Sequence, residues 1–287
     1  MFPNTFEYVK AKSVSDAVKL LAKPGSKAKL LAGGHSLLPA MKLRLNSPGT
    51  LVDITGIGAL SKIEKAGGKI HIGALATHRM VEESPKVKSS CPILAEVASG
   101  IGDPQVRNHG TIGGSLAHAD PAADYPALVL ALGAEIEVAG KGKARRISAD
   151  KFFKGLFETA LSSKEIIIKI SFPVLGKGEA AAYAKFPHPA SRFAIVGVAV
   201  MVAVDGKGKC TVARVGVTGA AACAFRATAV EKALVGKMLN DDTIASATMK
   251  VADADDLLSD LVASAEYRAH LCAVMAKRAL QTAAGRL

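Results

Sequence analysis

Two glycine-rich stretches contain the residue types from which a site for an extended anionic ligand can be built. The first, Ala32-Gly33-Gly34-His35-Ser36, follows the apolar run Lys29 to Ala32 and opens onto a helix-like segment beginning at Leu37. Bare backbone N–H groups at such a strand-to-helix turn can cradle a pyrophosphate. A Cβ there would block either a positive-φ turn or the close approach of phosphate, although a plain structural turn uses the same glycines. The second stretch, Gly110-Thr111-Ile112-Gly113-Gly114-Ser115, repeats the glycines with flanking hydroxyls. Two such stretches in one chain point to one extended cofactor.

Other chemistries fit less well. Neither stretch is a G-x-G-x-x-G fingerprint after a strand or a Walker A loop, and Gly56-Ile-Gly58 starts the former pattern only to break it at Ser61. Gly34-His35-Ser36-Leu37-Leu38 lacks the closing glycine of a nucleophile elbow, so no nucleophilic serine is expected. His118, Asp120 and Asp124 offer metal-ligand types, yet their spacing matches no ligand signature, and hydrogen bonding to a bound ribose or ring satisfies the same residues. No catalytic residue and no metal ligand is assigned. Lys185 ends an apolar strand, where it either snorkels to solvent or aims its charge at a cofactor ring.

The elements that must position these residues follow from local pattern. Phe6 to Val9, Lys29 to Ala32, Leu51 to Ile54 and Lys69 to Gly73 read as strands, with a Ser13-capped helix through Leu21. A helix from about Pro92 to Ile101 precedes a stretch to Pro121 with too many turn residues for a regular element, read as a functional loop. Asp124 to Leu132 is a helix candidate, followed by strands at Ala134 to Val138 and Glu165 to Phe172. Beyond Pro173 to Gly178 the texture changes to three strands, Glu179 to Lys185, Ile195 to Val204 and Thr211 to Thr218. A helical tail at Thr228 to Gly236, Asp242 to Ala252 and Ser264 to Ala284 completes the chain. The expected architecture is α+β, with one domain over 1–176 and a smaller one over 177–287.

Composition narrows the class. With 287 residues, 49% of them hydrophobic and 22% charged, the chain can bury a real core and is not disordered. The apolar run Phe193 to Val204 is 12 residues, too short to cross a bilayer, and Met1 to Lys10 shows no signal-peptide pattern. A cytoplasmic protein is expected. Cys91, Cys210, Cys223 and Cys272 are scattered without C-x-x-C spacing, so they read as free thiols rather than cluster ligands. The net charge of +12 raises a nucleic-acid or polyanion alternative, but the lysines are dispersed and the one compact basic stretch, Lys141 to Arg146, falls in a hairpin. Aromatics are 5% with no Trp, leaving few platforms for base stacking, and no nucleic-acid partner is expected.

The segments AGGHSLLPAMKLRL (32–45) and DPQVRNHGTIGGSLAHADPAADYPA (103–127), with the late EIIIKISFP strand and the helical tail, resemble the FAD-binding medium subunits of molybdenum hydroxylases, above all those of aerobic carbon monoxide dehydrogenases. The resemblance covers essentially the whole chain. It implies a vanillyl-alcohol-oxidase-type FAD-binding domain of two α+β subdomains, then a C-terminal domain with a three-stranded sheet and a helical bundle. It implies FAD in this chain, and two [2Fe-2S] clusters and a molybdenum cofactor in a small and a large partner subunit, assembled as a dimer of heterotrimers. Such a complex is cytoplasmic, touching the inner membrane face at most through its assembly. Electrons would pass from the partner's clusters to this FAD and on to an external acceptor. Alternatives are the medium subunit of an aldehyde or N-heterocycle oxidoreductase and a free-standing FAD oxidase or reductase.

Carried over by motif, Leu30, Leu31, Ala32, Gly33, Gly34, His35, Ser36 and Leu37, with Thr111, Ile112, Gly113, Gly114 and Ser115, would wrap the FAD pyrophosphate and adjacent groups. Asp124 would bond the cofactor, Ile167 would lie near its isoalloxazine ring, Lys185 would approach the polar edge of that ring, and Ile101 would help wall the cofactor. The resemblance assigns Arg107 no contact.

Overall fold

The computed structural model describes residues 1–25 and 27–287. Its elements are β1 (Glu7–Lys10), α1 (Val14–Ala22), β2 (Ala28–Leu31), α2 (Leu37–Lys42), β3 (Thr50–Asp53), β4 (Ile63–Ala66) and β5 (Lys69–Gly73). Short helices follow: α3 (His78–Glu83), α4 (Pro85–Ser90), α5 (Pro92–Ser99), α6 (Pro104–His109), α7 (Ile112–His118) and α8 (Asp124–Ala131). Next come β6 (Glu135–Ala139), β7 (Arg145–Ser148), β8 (Phe153–Gly155), β9 (Glu158–Thr159) and β10 (Ile166–Pro173). The C-terminal part holds β11 (Glu179–Pro187), β12 (Ala194–Val204), β13 (Cys210–Thr218), β14 (Phe225–Arg226), α9 (Thr228–Leu234), α10 (Asp241–Thr248) and α11 (Ala265–Ala284).

Three larger sheets and a two-stranded ribbon, β8-β9, organise the described residues. The first is parallel, in the order β1-β3-β2, with register Glu7 opposite Thr50 and Ala28 opposite Thr50 from the two sides. α1 covers it: Ser13 Oγ accepts the Asp16 N–H at 3.1 Å and caps the helix, whose Ala17, Val18 and Leu21 are buried. The second sheet is antiparallel in the order β4-β5-β10-β6-β7, with Ile70, Ile72, Ile136, Ile170 and Phe172 buried in the main core. The two sheets are joined because Leu75 and Ile166 extend the core of the first.

The third sheet, β11-β12-β13-β14, explains the 12-residue apolar run, which is a strand because both its faces are covered. Val196, Val198, Val200 and Val202 of β12 face the helical tail, where Cys272, Met275, Ala276 and Ala279 of α11 pack on them. On the other face Ala199, with Met201 packed alongside, joins the core that contains α8. A Cβ on Gly216 would meet the Ala127 carbonyl oxygen at 2.2 Å, so α8 lies directly on the β13 backbone. The expected three-stranded sheet has gained β14, a two-residue edge. Among the described residues no helix is long and apolar enough to span a membrane.

The stretch from Gly100 to Pro121 is not the irregular loop its glycine content suggests. It forms α6, capped where Asp103 Oδ1 accepts the Val106 N–H at 2.8 Å with Pro104 opening the helix, and α7, capped by Thr111. Local capping and tertiary packing override the weak helix propensity of Gly113 and Gly114.

Candidate functional site

A cleft of about 930 Å³ runs between the end of β2, the α6–α7 junction, the N-terminus of α8 and the loop before β12. That is the upper end of the range for small-molecule and cofactor sites. Leu30, Ala32, Gly33, Gly34, His35, Ser36, Leu37, Ile101, Thr111, Gly113, Gly114, Ser115, Asp124 and Ile167 all line it. Leu31, Ile112 and Lys185 do not. Leu31 packs beneath Gly34, where an added Cβ would meet its Cδ1 at 3.3 Å, and Ile112 is fully buried in the main core.

The two glycine stretches meet in the cleft wall. A Cβ on Gly33 would sit 2.0 Å from the His109 carbonyl oxygen, so the first stretch needs this glycine to lie against the second. Gly34 has φ +74°, the left-handed conformation that glycine adopts freely. Among the described residues, the backbone N–H groups of Gly33, Gly34, His35, Ser36 and Leu37 donate to no protein acceptor, and Ser36 Oγ makes no capping bond. This is an open row of donors at the cleft surface.

The start of α7 is different. Ile112 N–H donates to Ala76 O at 3.0 Å, Gly113 N–H to Ala74 O at 2.9 Å and Gly114 N–H to Thr111 Oγ1 at 3.1 Å. Its first-turn donors are therefore already satisfied, and what it offers the cleft is space. Gly113 is a packing glycine, since its Cβ would strike Ala74 O at 2.6 Å and Ala74 Cβ at 2.5 Å. A Cβ on Gly114 would meet only its own cap, Thr111 Oγ1, at 2.8 Å.

Asp124, 5% exposed, opens α8 without a capping residue before it. Burial pushes its carboxyl up, while Lys185 at 2.9 Å and the Tyr183 hydroxyl, donating at 2.7 Å, pull it down. Lys185 Nζ also donates to Gly100 O at 2.8 Å and Arg192 O at 3.0 Å. The lysine thus stands behind Asp124 and ties α5, α8 and the loop before β12 together, rather than presenting a charge to the cleft. Arg107 is a clip of the same kind, pairing with Glu82 at 2.8 Å and donating to Ile101 O at 3.3 Å.

Several cleft residues carry no signal in the sequence. Phe157 (φ +56°) and Arg192 (φ +61°) hold left-handed backbone at the cleft, where strain of about 1–3 kcal/mol each persists only if the surroundings enforce it. Phe193 lines the same side. His78 lies at the seam of the two glycine stretches, its backbone N–H bonded to Gly110 O at 2.9 Å. Burial, aided by the charges of His35 and Arg107, lowers its imidazole to about 4, so it is neutral at pH 7. The basic hairpin is partly spent on ion pairs, as Arg145 grips Glu165 with two bonds at 2.7 and 2.8 Å.

An open row of N–H donors, a side-chain-free position at Gly114 and an elongated cleft fit a dinucleotide diphosphate flanked by two bulky ends. The cleft suits an extended anionic ligand, and the comparisons specify the class. Residues 4–175 match the family model described as the FAD binding domain in molybdopterin dehydrogenase, and residues 181–283 match the CO dehydrogenase flavoprotein C-terminal domain. The chain is 39% identical over 283 residues to the carbon monoxide dehydrogenase medium chain of Hydrogenophaga pseudoflava, covering 99% of this chain and 98% of the relative. It is 38% identical over 283 residues to the 6-hydroxypseudooxynicotine dehydrogenase complex subunit alpha of Paenarthrobacter nicotinovorans, covering 99% and 96%. A solved structure of the Hydrogenophaga pseudoflava carbon monoxide dehydrogenase superposes with a TM-score of 0.94 at 41% identity, over 100% of this chain and 99% of that one. The chain belongs to the family of FAD-binding medium subunits of molybdenum hydroxylases.

Proposed function

We propose that this chain holds one FAD in the cleft and serves as the electron-transferring flavoprotein subunit of a molybdenum hydroxylase complex. The observation that carries the reading is the row of unsatisfied N–H groups from Gly33 to Leu37, lining the same cleft as the side-chain-free surface of Gly114. Those donors would hold the diphosphate. Thr111 and Ser115 line the same cleft, and Asp124, fixed by Lys185 and Tyr183, would accept a hydrogen bond from the cofactor. Ile101 and Ile167 would form apolar walls that keep water from it. Bound FAD supplies the redox couple, taking electrons from one side and releasing them to an external acceptor. The residues of this chain bind, orient and desolvate it, and none acts as acid, base or nucleophile.

The partners in this reading are a small subunit with [2Fe-2S] clusters and a large subunit with the molybdenum cofactor, arranged as a dimer of heterotrimers in the cytoplasm. The cysteine chemistry supports placing the clusters elsewhere: Cys91 and Cys272 are buried and their thiols are pushed up to about 12, unsuited to thiolate ligation. Relatives at 39% and 38% identity are named for carbon monoxide and for 6-hydroxypseudooxynicotine, so similarity in this chain does not select a substrate. A carbon monoxide dehydrogenase-like complex is the first reading, and an aldehyde or N-heterocycle oxidoreductase the second. A domain boundary near residue 176 is supported by the break between the matched segments, 4–175 and 181–283.

The test is the visible spectrum of the purified protein, alone and in the complex isolated from its host, with the released cofactor identified. The expected result is FAD near one per chain. A protein that is colourless and takes up no added FAD in either form overturns the reading.

A further inference from the structure

The wall between the two glycine stretches contains a pair of buried polar groups that have lost water and gained nothing in return. His78 is 5% exposed, and its Nδ1 is sealed from solvent without a hydrogen-bond partner. Tyr125 is fully buried, and its hydroxyl is likewise unpaired. The two rings are neighbours, with centroids 5.4 Å apart and planes at 48°. Buried polar atoms are rarely left unsatisfied, and these two do not satisfy each other.

The other edge of the imidazole points the opposite way. His78 lines the cleft, and its Nε2 and Cδ2 fill the space that a Cβ on Gly110 would take, at 2.5 and 2.8 Å from that position. Gly110 is thus the residue that admits this ring. Nε2 makes no hydrogen bond to the protein among the described residues, and unlike Nδ1 it is not sealed. The charged and titratable groups acting on the ring are His35 and Arg107, with Tyr125 in contact and Glu82 held by Arg107. The neutral imidazole has one N–H, and with Nδ1 sealed the nitrogen that can donate to a ligand is Nε2.

We propose that His78 is a further cofactor-positioning residue, whose Nε2–H, the polar edge of the ring that is open to the cleft, donates to a diphosphate oxygen of the bound dinucleotide. The inference rests on the FAD reading above. It adds a side-chain donor beside the main-chain donors of Gly33 to Leu37, from the element that joins the two stretches.

The experiment measures FAD affinity of the FAD-depleted protein, as full chain and in its native complex, by flavin titration for wild type, His78→Leu, His78→Gln and Tyr125→Phe. A hydrogen bond to a charged oxygen makes His78→Leu roughly 10-fold or more weaker, whereas Gln keeps an N–H near the Nε2 position and stays within about 3-fold. Tyr125→Phe stays within about 2-fold, because its hydroxyl bonds neither His78 nor the cleft. On wild type, ¹⁵N spectra of the histidine rings show His78 as the Nε2–H tautomer, with the Nε2 resonance moving on FAD binding. His78→Leu binding FAD within 2-fold of wild type, or a His78 Nε2 resonance that ignores FAD, overturns the proposal. If His78→Leu does not fold, the ¹⁵N measurement on wild type decides. A wild-type protein that takes no FAD in either form overturns the FAD reading itself, a different outcome from either of these.

Discussion

Among the described residues, five successive backbone N–H groups at Gly33 to Leu37 lack an acceptor, whereas at Ile112 to Gly114 each N–H already has one, in Ala76 O, Ala74 O and Thr111 Oγ1. In sequence the two stretches look like copies of one device, and in space they are two halves of it. In the proposed function one would supply donors to an anion; the other would supply a close, side-chain-free surface and the hydroxyls of Thr111 and Ser115. Their glycines differ accordingly. Gly33 and Gly113 permit backbones to touch, Gly34 permits a left-handed turn, and Gly114 leaves room in the cleft. A glycine-rich motif therefore says little about ligand binding until one knows what a Cβ would strike.

Substitutions at these positions separate the halves. Gly114→Val places its branches in the cleft and disturbs only a rotatable cap, so FAD affinity falls on the order of 100-fold or more, about 3 kcal/mol, in protein that still folds. Flavin titration of the folded variant checks this, and full occupancy there breaks the assignment of the open surface. Gly33→Ala and Gly113→Ala instead drive Cβ into backbone, and each lowers the stability of FAD-free protein by about 3 kcal/mol in urea unfolding. Wild-type stability in either would show that the stretches do not need to touch.

His78, between the halves, gives a pH signature. Its folded value, about 4, lies below the ordinary value of 6.5, so the unfolded chain binds the proton more readily in that interval. The contribution is complete above about pH 6.5 and is lost as pH falls toward 4, amounting to about 3 kcal/mol over the window. Urea midpoints of wild type and His78→Gln across pH 4 to 7 test it; parallel profiles would contradict it. The smallest effects are at the caps. Thr111→Val costs about 1 kcal/mol because its hydroxyl caps α7, whereas Ser36→Ala changes stability by less than about 0.5 kcal/mol because Ser36 caps nothing. Equal costs at the two would erase the distinction.

Much of this architecture was readable in advance, because strands and long helices announce themselves by period and punctuation. The apolar run ending at Val204 reads as a strand from its length and its bounding turns, and Val196 to Val202 alternate between two covered faces as a central strand should. The α6–α7 stretch misleads because glycine counts were weighed above caps: Asp103-Pro104 and Thr111 mark helix starts, and the glycines of α7 serve its packing on Ala74. The cleft residues near the motifs were legible since motif and cleft coincide. Lys185 was not, because its partners Gly100, Asp124 and Arg192 are fixed only by how α5, α8 and the β11–β12 loop meet. Nor was His78, whose role depends on Gly110, 32 positions away, lacking a side chain.

The central claim is that the first stretch grips the diphosphate and the second does not do so through its backbone. Amide hydrogen exchange and ¹⁵N–¹H shifts, with and without FAD, test it at single residues. The N–H groups of Gly33 to Leu37 should exchange fast without FAD, then move downfield and become protected on binding. Those of Ile112 to Gly114 should be protected in both states. Amides at 33–37 that neither shift nor gain protection when FAD is bound would contradict the account.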